Sequence, residues 1–243
     1  MHSSKGVLRL VIAGLTLLFV AGSPARAAEP VDFSGTWKAV SPRKTILPND
    51  AAIPFSAKGR EQYQQNVGSK AKKDLEFDLT TSRCSTPGLP RAMLTAQRFR
   101  IFQDPQVLTI GFEWNRDRRV IGLPGLPPQI SLFGAADDAS LVGTKMGTSR
   151  GQWEGNTLVV TSTEMSDKTL LDDVVPHTFG LKVTERLTLL DANTLEDRIT
   201  IEDPEYFTKA WDTVLTYKRQ PDAIFPEDVC LDRVFGAPNL PAK

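Results

Sequence analysis

From residue 97 onward the chain repeats one pattern: short extended runs in which apolar and polar side chains alternate, each closed by turn residues. Candidate strands fall at 98–103, 106–114, 118–122, 149–153, 157–164, 181–190, 196–202 and 209–218. Asp104-Pro105, Pro124-Gly125, Gly155-Asn156, Asp191-Ala192-Asn193 and Asp203-Pro204 separate them; these residue types end ladders and form turns. Gly35-Thr36-Trp37-Lys38-Ala39-Val40 reads as an earlier strand. Short strands in succession, with almost no helical pattern between them, predict a mainly β fold. The expectation is a single antiparallel barrel or a sandwich, with one or two short helices. Ser56 to Asn66 is such a helix with Ser56 as N-cap, and Lys70, Lys72 and Lys73 follow it as a solvated loop. The connections 123–148 and 165–180 become rim loops, where binding groups commonly sit.

Residues two apart on a strand share a face. Leu108, Ile110, Phe112 and Trp114 therefore form one apolar face, with Glu113 pointing the other way. Val183, Leu187 and Leu189 form another, and Glu185 shares it; Asp197 falls on the side of Ile199 and Ile201. Trp211, Leu215 and Tyr217 align with Thr213 between them, and Trp153 shares a side with Gly151. An acid on an apolar face is the informative feature, because a buried carboxylate must be paired, hydrogen-bonded or protonated. Glu185 is thus the leading polar interior candidate. A bulge that flips the register, or a neighbouring arginine that makes it a structural ion pair, is the competing explanation.

Charge and compartment narrow the function classes. The first 27 residues carry Lys5 and Arg9, an apolar run from Leu10 to Val20, and Ala25-Arg26-Ala27 before Ala28. This reads as a cleaved secretory signal, too short in its apolar core for the ~20 residues that span a bilayer. The domain expectation is a signal peptide over 1–27 and one secreted β domain over 28–243, exported to a periplasm or beyond the cell, with no membrane anchor. The mature chain would hold 26 bases against 29 acids, which argues against a nucleic-acid partner. Cys84 and Cys230 are the only cysteines, and an even count in an oxidising compartment favours a disulfide over two isolated thiols. Neither belongs to a CxxC pair and His177 is the only mature histidine, so no metal site is expected. No glycine-rich phosphate loop follows a strand, so no cofactor is expected either.

Asp32-Phe33-Ser34-Gly35-Thr36-Trp37 resembles the Gly-x-Trp opening of lipocalins and related calycins. That resemblance implies an up-and-down barrel with the tryptophan closing one end and a small apolar ligand inside. A longer resemblance is to a group of uncharacterised secreted bacterial proteins. It rests on Cys84-Ser85-Thr86-Pro87-Gly88-Leu89-Pro90-Arg91-Ala92-Met93, on Phe112-Glu113-Trp114-Asn115-Arg116-Asp117-Arg118-Arg119, on Gly151-Gln152-Trp153-Glu154-Gly155-Asn156-Thr157-Leu158-Val159-Val160, and on His177 through Val183-Thr184-Glu185-Arg186. The match covers roughly residues 32–235 and departs from the pattern in a longer segment between Pro128 and Ser149. It implies export and one domain, without a mechanism.

Two functional expectations follow. The first is an exported barrel that binds a small apolar or aromatic molecule, with Trp114, Arg119, Trp153, Trp211 and Tyr217 as ligand-binding candidates; large aromatics also dominate sheet packing, so most are expected in the core. The second is a lyase, isomerase or cyclase on the same barrel, with His177 and Glu185 as the acid–base pair. A solidly filled envelope component is a third. Gly147-Thr148-Ser149-Arg150-Gly151 fits the G-x-S-x-G hydrolase pattern, but strand rather than helix follows it, so the nucleophile elbow is not expected. The oligomeric state is left open.

Overall fold

A computed structural model of the chain describes residues 31–47, 52–125, 144–225 and 230. The segment 1–27, expected to be a signal peptide, and most of the 123–148 connection lie outside these residues. Among those described, the strands are β1 Gly35–Ala39, β2 Phe99–Gln103, β3 Val107–Phe112, β4 Arg118–Gly122, β5 Thr148–Glu154, β6 Thr157–Thr163, β7 Lys182–Asp191, β8 Thr194–Glu202 and β9 Trp211–Arg219. They form one closed barrel in sequence order, β9 returning to β1 through Trp37 opposite Arg219 and Ala39 opposite Tyr217. Closure leaves no open sheet edge. Every pair is antiparallel except β4 and β5, which run parallel and share only Ile121 with Ser149 and Gly122 with Arg150. A parallel pair needs a long link, and the interval between Leu123 and Gly147 provides the length.

Register defines the interior. Directly opposed residues share a face, so Trp37, Phe99, Phe112, Ile110 and Arg119 follow one another around one side. Ser149 and Ser162 continue the ring, and Val160, Glu185, Ile199 and Thr213 lie on the same face. The parity expected for Glu185, Asp197 and the Trp211–Tyr217 series is the parity observed. Glu113 differs: β3 stops at Phe112, and the Glu113 carboxylate is buried, accepting from the Arg98 amide at 2.7 Å and pairing with Arg98 Nε at 2.8 Å.

The end where β1 begins is closed by aromatic packing. Trp37 is fully buried, donates from Nε1 to the Phe33 carbonyl at 2.9 Å, and carries the Arg219 guanidinium over its ring at 4.2 Å. Phe33 stacks on Trp153 with centroids 5.5 Å apart. The opposite end gathers the links 40–98, 113–117, 164–181 and 203–210. Helix α1, Ala57–Ala71, lies in the first of them with Ser56 Oγ accepting from the Gly59 amide at 3.1 Å. It runs one turn past the expected Asn66, taking Lys70 out of the expected loop, because Asn66 Nδ2 bonds the Val174 carbonyl and Lys70 pairs with Asp173. Two helices the pattern was too short to reveal follow: α2, Leu79–Arg83, capped by Asp78, and α3, Arg91–Leu94.

Helix α3 stops the mouth of the barrel. Met93 and Leu94 are each 2% exposed, and the Met93 carbonyl accepts from Tyr217 Oη at 3.2 Å. Arg91 holds α3 in place with a forked pair to Asp78 at 2.7 and 2.9 Å and a further bond to Asp173 at 2.9 Å. Gly88 (φ +78°) lets this link approach the 164–181 link closely, since a Cβ there would meet Thr169 at 2.8 Å. Asp172, fully buried, accepts from the amides of Ile46, Val174 and Val175 at 2.8 Å each. No helix among the described residues is long and apolar enough to cross a membrane.

Cys84 and Cys230 are bonded, with Cα atoms 5.6 Å apart and a separation of 146 residues. Asn115 bridges both halves, donating to the Cys84 carbonyl at 2.9 Å and accepting from the Cys230 amide at 2.8 Å. Closing so long a loop removes much denatured-state freedom. Replacing both cysteines with alanine is expected to lower stability by about 2–5 kcal/mol in urea denaturation, and a loss below about 1 kcal/mol would show that the tail adds no constraint.

Candidate functional site

The inward-facing arginine sits where β4 meets β5. Arg119, 1% exposed, donates from Nη1 to Glu185 Oε1 at 2.8 Å and from Nη2 to Glu185 Oε2. Its Nε reaches Ser149 Oγ at 3.1 Å and its Nη2 also reaches Ser162 Oγ at 2.8 Å, and the two serine hydroxyls bond each other at 2.8 Å. One side chain thus joins β4, β5, β6 and β7. Ser149, the serine of the G-x-S-x-G match, belongs to this network inside strand β5, with no elbow and no histidine beside it.

Asp197 faces the same interior with 0% exposure and neither carboxylate oxygen hydrogen-bonded. Burial raises its pKa well above the usual carboxylate range, the Glu185 charge adds to this, and Arg119 only partly offsets it. Burial likewise pushes the Tyr217 hydroxyl well above its ordinary value, with Asp197 and Glu185 adding to the shift. The remaining interior is packed solid: Ile110 is 1% exposed, and Val160, Leu195, Ile199 and Tyr217 are 0%. An ion pair, its serines and closely packed apolar groups therefore occupy the part of the interior where the strand pattern led us to expect a pocket.

Two concave sites lie outside the barrel, around its capped mouth. One, of about 490 Å³, is enclosed by Pro42, Arg43 and Lys44 after β1, by Thr80, Thr81, Pro87, Arg91, Leu94, Thr95, Ala96 and Gln97 from the α2–α3 region, and by Trp114, Asp173 and Cys230. Cys230 of the disulfide and Arg91 and Leu94 of α3 form part of its walls. A second, of about 670 Å³ and more polar, runs between α1 and the 164–181 link and is lined by Gln62, Phe77, Asp167, His177, Phe179 and Tyr206 among others.

The residues singled out from sequence separate accordingly. Trp114 lines the first cavity and His177 the second. Arg119 is in the interior ion pair, Trp153 stacks on Phe33, Trp211 packs edge-on to Phe207 at 5.3 Å, and Tyr217 packs edge-on to Phe99 at 4.9 Å. None of these four borders either cavity. His177 and Glu185 share no partner: the His177 ring donates from Nδ1 to the Thr178 carbonyl at 2.8 Å and meets Thr169 Oγ1 at 2.9 Å. Burial lowers the His177 pKa, which keeps the ring neutral further into acid, against the raising effect of the Thr178 carbonyl. Arg43, Leu94, Ala96 and Arg91 escaped the sequence reading because they lie in a link without periodicity. The one available signal was that the Cys84–Met93 and Phe112–Arg119 stretches, which carry the resemblance, meet in space through Asn115 and through Thr86 Oγ1 and Asp117 Oδ1 at 3.1 Å.

No family model matches the chain, and no curated protein matches it. Two crystal structures of point mutants of the fluorescent protein UnaG are similar at TM-scores of 0.33 and 0.32 and identities of 14% and 12%, covering 78% and 77% of this chain and 97% and 95% of theirs.

Two measurements probe the interior. Arg119→Met or Glu185→Leu alone strands a buried charge and is expected to cost about 3–5 kcal/mol in urea denaturation, whereas the double variant costs less than either. Strictly additive losses would show that the pair does not act as a unit. Asp197 is expected to make stability fall as pH rises from about 4, its unfolded value, toward its raised folded value, because the native state holds the proton longer. Asp197→Asn should flatten that slope above about pH 4, and an unchanged slope would place the titration elsewhere.

Proposed function

We propose that this chain is an exported β-barrel protein that binds a small apolar or aromatic molecule in the cavity outside its capped mouth. The observation that carries the reading is the cavity itself: its volume of about 490 Å³ falls in the range used by small-molecule sites, and Trp114, Leu94, Pro42 and Pro87 give it an apolar wall. Export is supported by the signal-like opening and by the Cys84–Cys230 bridge, since disulfides persist in oxidising compartments. The barrel acts as a rigid base on which α3 and the disulfide hold that wall.

The packed interior favours a second reading, a solid scaffold whose partner is another protein. The acid–base alternative gains no support, because Glu185 is 1% exposed with both oxygens on Arg119, away from the cavity that His177 lines.

The neutral probe N-phenyl-1-naphthylamine, which brightens in apolar surroundings, is expected to bind saturably at one site. Ala96→Trp fills the cavity from an exposed position and should weaken binding at least tenfold with an unchanged melting temperature; Trp114→Ala should act in the same direction. Binding that survives both variants would refute the location, and no binding at all would favour the scaffold reading.

A further inference from the structure

The charge on the walls of this cavity is unbalanced. Among the described residues, three cations border it, Arg43, Lys44 and Arg91, and one acid, Asp173. Asp173 is already engaged, accepting from Arg91 Nη2 at 2.9 Å and from Lys70 Nζ at 3.2 Å, and Arg91 is further occupied by Asp78. Arg43 stands differently. Its Nη2 donates to Thr213 Oγ1 at 2.7 Å and to the Val214 carbonyl at 3.2 Å, which fixes the guanidinium against β9. Its hydrogen bonds among the described residues go to these neutral oxygens and to no carboxylate, and its Nε is buried without a hydrogen-bond partner. Its Nη1 makes no hydrogen bond among the described residues and is not enclosed as Nε is, so it remains open to an acceptor. Burial also lowers the Arg43 pKa, with only Tyr217 opposing, as expected for a cation removed from water without a counter-charge.

We propose that the ligand of this cavity is an amphipathic anion, an apolar or aromatic body carrying a carboxylate, with the carboxylate on Arg43 and the body against Trp114 and Leu94. The inference rests on the small-molecule reading above and adds the chemical class. With Nη2 committed to β9, Nη1 is the guanidinium nitrogen left to donate to a carboxylate oxygen, in a charge-assisted hydrogen bond. Thr213 and Val214 hold the guanidinium in position, so little side-chain freedom is lost on binding. Lys44, exposed and flexible, contributes long-range attraction rather than geometry.

The test compares 1-naphthoate with its neutral analogue 1-naphthamide by isothermal titration on the full mature protein at pH 7.5. Wild type should bind naphthoate at least tenfold more tightly. Arg43→Gln should reduce that preference to about twofold or less while leaving naphthamide affinity within a factor of three, and Lys44→Gln should keep most of the preference. Equal affinities in wild type, or a preference that survives Arg43→Gln, would overturn the anion assignment while leaving the small-molecule reading intact. Binding of neither probe would overturn both. Because Arg43 also braces β9, the wild-type ratio decides the matter alone should Arg43→Gln not fold.

Discussion

Arg119 is the constraint around which this barrel is organised. The ring is continuous, but its β4–β5 seam is short and parallel, with two opposed pairs where β7 and β8 share most of their lengths. At that seam the Arg119 side chain crosses to β5 through Ser149, to β6 through Ser162 and to β7 through Glu185. The weakest stretch of backbone pairing is thus reinforced by side-chain bonds in a dry interior, where such bonds are strong and unsatisfied groups are costly. A buried ion pair of this kind need not be more stabilising than an apolar isostere. Its particular role here is to specify which strands meet at a junction that the backbone alone specifies poorly.

That solution has a consequence for function. A guanidinium, two carboxylates and two hydroxyls lie in the interior among buried aliphatic side chains, which leaves the cavity outside the mouth as the better-supported place for a ligand. The long β1–β2 link makes recognition possible elsewhere. It leaves the sheet at Ala39, builds α1 to α3 over the mouth, and is fastened by Arg91 to Asp78 and Asp173, by Asn115 to the disulfide, and by Tyr217 to Met93. Concave surface then arises between cap and rim, where backbone without regular pairing presents varied side chains on a stiff support.

How much of this could be read from residue order follows the range of the forces involved. Alternation located the strands to within a few residues and put Glu185 and Asp197 on the inner face, because side-chain direction along a strand is a local property. The same alternation could not say whether inward groups enclose space or fill it. Filling depends on Arg119 meeting Glu185 across 66 positions of sequence, and an arginine partner was legible only as one of several ways a buried acid can be tolerated. Helices α2 and α3 span five and four residues, less than the length over which a helical period shows, and tertiary bonds rather than propensity hold them. Trp114 was legible as an aromatic of interest, whereas Arg43 was not, since a lone arginine in an irregular link gives no sign of where its carboxylate is missing.

The contrast between interior and mouth also explains why recognition is assigned to one and not the other. Inside, charge is balanced group by group: Arg119 takes Glu185, and Asp197, with no second cation to face, keeps its proton well above the usual range. A low-dielectric enclosure enforces such neutrality because any surplus charge costs several kcal/mol. The same balance governs the cap at Arg91, which answers Asp78 and Asp173 together. It fails at Arg43, which is partly withdrawn from water and fixed by neutral oxygens of β9. Bonds to β9 position the Arg43 guanidinium but leave its charge without a carboxylate among the described residues, and the counter-charge is therefore sought in what the cavity binds.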